Sequence, residues 1–293
     1  MQPEISVNWF LAQAVLCVGA WMTGRAIGRN SHAWGEILLA TLATMSIFWA
    51  MRDRAASVLL DFFPLDSWVY LEGTVIAPPV LLVAGALSVH PHQRRARWLG
   101  PALALFGSTY FAFHGAWMLR PSPNPATLDT VRYTSGPTMQ SRADSCSAAA
   151  MATALRACNL GLVVSEADMA RFADLRAGAG ATPARVVRGL RMAMTGTALE
   201  PTLVTLNAGE VAHVASPDMP ALVTLRTGGA QHHMVVLYGR TRAGLLHVFN
   251  PAEDGSQGAL MDPETFRRRY TGSAIVMLPR ESPARNPTML GAH

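Results

Sequence analysis

The chemistry most visible in this chain gathers around one cysteine. Met139–Gln140–Ser141–Arg142–Ala143–Asp144–Ser145–Cys146 runs directly into Ser147–Ala148–Ala149–Ala150, so Cys146 follows polar residues of the capping type and heads a helix-forming run. A thiol at a helix N-terminus faces backbone N–H groups without acceptors and the positive end of the helix dipole. Both favour thiolate over thiol, and the thiolate is the nucleophilic form. Gln140, upstream on the same stretch, brings a side-chain amide donor to the same neighbourhood.

A cysteine nucleophile needs a base, a group that orients the base, and donors for the oxyanion. His232 and His233 begin the apolar run Met234–Val235–Val236–Leu237, and Asn250 ends the run Leu246–His247–Val248–Phe249 just before Pro251–Ala252. A hairpin through Thr241–Gly244 sets the start of the first strand opposite the end of the second, which makes the histidines and Asn250 near neighbours. Cys, His and Asn together can form a catalytic triad.

The elements that must hold these groups follow from local signals. A helix starts near Ser145 and stops near Cys158, where Asn159 and Gly161 supply stop signals. Ser165-x-x-Asp168 resembles a capping box for a short helix to about Leu175, and Asn207-x-x-Glu210 another to about Val214. Thr182–Pro183 reads as an N-cap and first helical residue, for a helix to about Met192. Ala177–Ala181 reads as a small flexible loop. Pro220–Arg226, His233–Tyr238, Leu245–Phe249 and Ala274–Leu278 read as strands, with a helix over Asp262–Tyr270 between the last two. Helices followed by a mostly antiparallel sheet make an α+β layout.

The first part of the chain is different. The 293 residues are 50% hydrophobic and 15% charged, and the apolar excess lies before about Arg120. Nearly uncharged runs over residues 5–24, 33–51, 68–90 and 96–119 have the length of membrane spans, with Trp9, Trp34, Trp68, Trp98 and Trp117 near their ends. The expectation is an all-α transmembrane region of about four helices over residues 1–119, with the pair Pro78–Pro79 interrupting the third. Residues 120–138 form a Pro-rich linker, 139–280 a folded domain and 281–293 a disordered tail. Arg25 and Arg29 in the first loop, and Arg94, Arg95 and Arg97 in the third, place those loops in the cytoplasm. The folded domain is then expected on the periplasmic or extracellular side of the inner or cell membrane.

Several function classes fall away. A net charge of +5 and a pI near 9.6 point toward nucleic acid, but the basic residues are dispersed arginines with no basic-aromatic stripe. Cys146 and Cys158 are about 18 Å apart along one helix, beyond disulfide reach. Cys17 and Cys158 read as packing residues. His90 and His92 have no further ligands at metal-site spacing. No cofactor or metal is expected.

Taken together, Met139-Gln140-x-x-x-x-Ser145-Cys146, His233-Met234-Val235-Val236-Leu237 and Asn250-Pro251-Ala252 resemble the C39 peptidases. These are papain-like cysteine proteases that trim leader peptides, typically after a double glycine, from bacteriocin and other ribosomal peptide precursors. The resemblance covers roughly Tyr133–Pro279, and Met261-x-x-Glu264-x-Phe266-x-x-x-Tyr270-Thr271-Gly272 is similar to the family's closing helix and turn. It implies Cys146 as nucleophile, His233 rather than His232 as general base and acid, Asn250 as its orienting group, and Gln140 with the Cys146 N–H as oxyanion hole. The family carries Asp-Cys-Gly where this chain has Ser145-Cys146-Ser147, and Asp where Asn250 stands. No Gly-x-x-x-x-Gly-Lys-Ser/Thr motif occurs in the sequence, so a transporter enters only as a separate partner. The implied function is a membrane-anchored cysteine peptidase acting on a peptide or protein substrate. The competing readings are a non-catalytic, C39-like peptide-binding domain and a different acyl transfer, such as amidase or transglutaminase chemistry, on the same fold.

Overall fold

The computed structural model describes residues 3–29, 41, 77–89, 96–128, 136–178, 180–228, 231–253 and 258–280. Contacts divide the chain into two compact units, Met1–Pro123 with Asp174–Gly180, and Asn124–Ala173 with Ala181–His293. The break after Pro123 falls inside the Pro-rich stretch. The expected tail over 281–293 lies outside the described residues.

In the first unit, α1 (Pro3–Gly28), α2 (Ala77–Val89) and α3 (Ala96–Gly115) pack with α2 against both neighbours. Small residues set the spacing. A Cβ on Gly24 or Gly28 would overlap the carbonyls of Leu82 and Ala86 on α2, and one on Gly85 would overlap the carbonyl of Trp21 on α1. Close backbone approach of this kind is how helices associate where no hydrophobic force separates core from surroundings. The outward surface is apolar, with Leu11, Val15, Leu16 and Val18 on α1 and Leu105, Phe106 and Phe113 on α3 exposed.

The expectation of about four spans is corrected here. Among the described residues only Phe10–Gly28 is long and apolar enough to cross a membrane. The 13 residues of α2 reach about 20 Å, short of a hydrocarbon core of about 30 Å. Its prolines stand in the first described turn, and the helix runs unbroken from Val80 to Val89. In α3 the polar residues Arg97, Ser108, Thr109 and His114, together with Pro101, dilute the apolar run. The run 33–51 lies outside the described residues except for Thr41, as does 68–76. Within this unit the loop after Asp174 is not loose. Arg176 is buried against Asp174 at 2.9 Å and donates to the Arg120 carbonyl at 2.8 Å.

The second unit is α+β. Its helices are α4 (Cys146–Ala157), α5 (Glu166–Phe172), α6 (Pro183–Ala193), α7 (Ala208–Val214) and α8 (Pro263–Arg269). Both capping boxes form: Ser165 with Asp168 opens α5, and Asn207 with Glu210 opens α7. The helix α5 ends before Leu175 because Asp174 takes a left-handed backbone, φ 49°.

Six strands, β1 (Leu199–Thr205), β2 (Ala221–Gly228), β3 (Gln231–Arg240), β4 (Leu246–Phe249), β5 (Ala259–Met261) and β6 (Tyr270–Pro279), form a sheet in the order β1-β6-β2-β3-β4-β5. Every described pairing is antiparallel. Two strands had no sequence signal. Pro201 and Glu200 disguise β1, which is an edge strand and tolerates a proline there. The other, β5, has only three residues.

On one sheet face Val223, Leu225, Val235, Leu237 and Val248 pack with Val211 of α7 and Phe266 of α8. Strand alternation turns the equally buried Leu222, Met234, Val236 and Phe249 to the other face. The helix α4 packs on β3 and β2, so its first turn is carried by the centre of the sheet.

Candidate active site

Cys146 is the first residue of α4, as the sequence suggests, but the cap before it differs from expectation. Ser145 makes no side-chain cap bond. Its Oγ accepts from the Arg142 N–H at 3.0 Å and donates to the Arg142 carbonyl at 2.9 Å, bracing the turn upstream instead. The first helical bond runs from the Ala149 N–H to the Ser145 carbonyl at 3.1 Å. The N–H groups of Cys146, Ser147 and Ala148 therefore have no acceptor within the helix. That of Ser147 turns to the Cys146 sulfur, as does the backbone N–H of Met234 on β3.

Two opposing effects set the Cys146 thiol. Burial pushes it up; the bond to His233, the Met234 N–H, the His233 charge and the Ser147 N–H together outweigh burial and hold it below its ordinary value of 9.0. His233 mirrors this. Burial pushes its imidazolium down, and the bond and charge of Cys146, the bond to Asn250 and the charge of Glu253 lift it above 6.5. The two shifts converge, in the direction that forms a thiolate–imidazolium pair.

The tautomer follows from Asn250. Its Oδ1 accepts the backbone N–H of Ala252 at 3.0 Å, which fixes the oxygen end of the amide. The same Oδ1 lies 2.5 Å from Nε2 of His233. An amide oxygen only accepts, so Nε2 carries the proton and Nδ1 is left for Cys146. The strand geometry behind this is the expected β3–β4 hairpin, with Val236 opposite Phe249 and a bulge between Leu237 and Arg240. Gly239 makes the bulge: it has φ 100°, and a Cβ there would overlap the Ala215 carbonyl.

Gln140 joins the site through its backbone. Its N–H donates to the carbonyl of Pro251 at 2.9 Å, one residue past Asn250. On its side chain, Oε1 is buried without a hydrogen-bond partner. Next to it, Ser141 donates its N–H and its hydroxyl to the two carboxylate oxygens of Glu166, at 3.0 and 2.6 Å. Sequence reasoning missed Glu166. An acid in the first turn of a helix reads as a dipole partner, and nothing local shows it turning inward.

The other candidates stand apart. His232 is exposed. His247 stacks against Tyr238 with ring centroids 4.9 Å apart. Cys158 caps the far end of α4, and burial with the charge of Asp218 pushes its thiol up to about 11. Arg267 pairs with Glu264 at 2.8 Å on the exposed face of α8. His90 and His92 lie outside the described residues. Among the described residues no group of three or more His, Cys, Asp or Glu side chains is placed to hold a metal ion.

Set against known proteins, the chain stands on its own geometry. No protein-family model matches it, and no curated protein matches it either. Cys146, His233, Asn250 and Gln140 are the residues through which its chemistry is read.

Proposed function

We propose that the protein is a membrane-anchored cysteine peptidase of the C39 type, with a papain-like catalytic domain. The observation that carries this reading is the relay from Ala252 N–H and Asn250 Oδ1 through His233 to Cys146, which sits at an uncapped helix N-terminus.

The steps follow from the geometry. The Cys146 thiolate attacks the carbonyl carbon of the scissile amide, and the carbonyl oxygen takes the negative charge. The Cys146 N–H and the Gln140 amide receive that oxyanion. The His233 imidazolium passes its Nδ1 proton to the leaving amine as the C–N bond breaks, leaving a thioester on Cys146. Neutral His233 then takes a proton from water as the water attacks the thioester. The acid product leaves, and thiolate and imidazolium are restored. Asn250 holds the ring throughout by accepting from Nε2. Asn serves here as well as Asp, because the task is to fix the tautomer and the ring plane.

The helical unit supplies the anchor, through Phe10–Gly28 and the helices packed on it. The substrate is a peptide or protein segment, with a leader peptide as the first class to test, delivered by a separate transporter.

The test is alkylation of the full-length protein in detergent with iodoacetamide across pH, read at Cys146 by mass spectrometry. Cys158 is the internal control. The peptidase reading expects Cys146 to react well below the pH at which Cys158 does, and to lose that advantage in His233→Ala. A Cys146 that titrates like an ordinary thiol, with or without His233, removes it.

A further inference from the structure

Glu166 has no role in the steps above, yet its carboxylate is completely buried. A buried carboxylate is costly unless it is well hydrogen-bonded, and the first turn of α5 does not require this one. Asp168 does the capping: its Oδ2 takes the Ser165 N–H at 3.2 Å while Ser165 Oγ takes the Asp168 N–H at 3.0 Å. The Glu166 carboxylate is turned inward, and both of its oxygens are bonded to Ser141. The hydroxyl bond, at 2.6 Å, has the length of a charge-assisted one.

Ser141 lies between the two oxyanion donors, next to Gln140 and within the turn that leads to Cys146. The segment is tied at three points. The Gln140 N–H is held by Pro251, Ser141 by Glu166, and Arg142 by Ser145 and by Asp144 at 3.0 Å. Arg142 also reaches Thr127 Oγ1 at 3.4 Å, and the Glu166 bonds are the ties made to α5.

Resting on the peptidase reading, we propose that Glu166 is a positioning residue for the oxyanion hole. It clamps Ser141 so that the Gln140 amide keeps its place relative to Cys146. Its effect is on the oxyanion donors and not on the thiolate, whose partners are His233 and the N–H groups of Met234 and Ser147.

That division gives a test that a merely structural role would not pass. Iodoacetamide reacts with a thiolate by displacement and needs no oxyanion hole. An activated ester, p-nitrophenyl acetate, acylates the same sulfur through a tetrahedral oxyanion. The full-length protein is compared with Glu166→Gln, Ser141→Ala and the double variant, with thermal unfolding as the check on folding. Expected are a loss in acylation rate on the order of 10²-fold, as for a misplaced catalytic group, in each single variant, no further loss in the double variant, and an unchanged alkylation rate and pH profile. Acylation unchanged in both single variants overturns the proposal, and so does a parallel fall in acylation and alkylation. If Glu166→Gln does not fold, Ser141→Ala carries the test alone. A wild type that acylates no faster than His233→Ala removes the peptidase reading and this role with it, whereas variants that match an active wild type remove this role alone.

Discussion

The backbone N–H of Gln140 is bonded to the carbonyl of Pro251 at 2.9 Å. The bond joins the segment before Cys146 to the turn after β4, whose Asn250 is hydrogen-bonded to His233. The Gln140 segment and the Asn250 turn thus share one attachment, although they lie far apart in sequence. A displacement of the Asn250 turn would move both the imidazole and the Gln140 amide.

Asn250→Ala tests the base end. The substitution removes the acceptor of both the His233 Nε2–H and the Ala252 N–H. Acylation of Cys146 by p-nitrophenyl acetate should slow on the order of 10²-fold, the lower part of what a positioned acid–base residue supplies. Asn250→Asp keeps the oxygen and adds a negative charge beside the ring, which favours imidazolium. The His233 titration, followed by the NMR shift of its ring protons, should therefore move to higher pH. A downward shift would contradict the geometry.

The pH dependence of Cys146 follows from the directions of its shifts. Its thiol is held below 9.0 chiefly against burial, with His233 the largest favourable cause. The alkylation rate should rise with pH through a midpoint below that value, then level off once the thiolate is fully formed. In His233→Ala burial remains and the imidazole partner is gone, so the midpoint should move up. An unmoved midpoint would mean that the two side chains do not communicate.

Legibility in the sequence tracks how local each feature is. The capping boxes of α5 and α7 are three-residue relationships, and both formed. The β3–β4 hairpin was readable from its turn and its apolar runs, and it brings His233 to Asn250. Ser145 shows the limit of local reading: its type suits a cap, but the Arg142 turn offers its hydroxyl a competing bond. The Glu166–Ser141 clamp spans 25 positions and has no local signature. In β1, Pro201 hid an edge strand. In the helical unit, among the described residues only Phe10–Gly28 keeps the length that a count of apolar residues gives α2 and α3 as well, while Gly24, Gly28 and Gly85 set the spacing of α1 and α2 through contacts that no hydropathy window registers.

Ser147 directly follows Cys146, and its hydroxyl is buried without a hydrogen-bond partner. An unsatisfied buried hydroxyl costs about 1–3 kcal/mol, so Ser147→Ala should raise the thermal stability of the protein. The alkylation profile of Cys146 should stay as it is, because the contribution of Ser147 to the thiolate comes from its backbone N–H. Ser147→Gly removes the same hydroxyl but places glycine in a helix, a penalty of roughly 0.5–1 kcal/mol against alanine, and should fall below Ser147→Ala. A destabilised Ser147→Ala would show that the hydroxyl is bonded after all.

The helical unit supplies a prediction with its own control on the same helix. Gly19 and Gly24 both lie on α1, one turn and a little more apart. Among the described residues nothing lies within 4 Å of a Cβ added at Gly19, whereas one at Gly24 would overlap the backbone carbonyl of Leu82 on α2. Backbone cannot swing aside as a side chain can, so Gly24→Ala must separate α1 from α2 and lose the packing of both. Overpacking of this kind destabilises by about 1–3 kcal/mol. Gly19→Ala instead gains the higher helix propensity of alanine, about 1 kcal/mol at an exposed position. Unfolding in mixed micelles of dodecyl maltoside and sodium dodecyl sulfate, followed by tryptophan fluorescence, should rank Gly19→Ala at or above wild type and Gly24→Ala clearly below it. Equal midpoints for the two variants would mean that α1 and α2 do not meet through Gly24, and the small-residue seam would have to be given up.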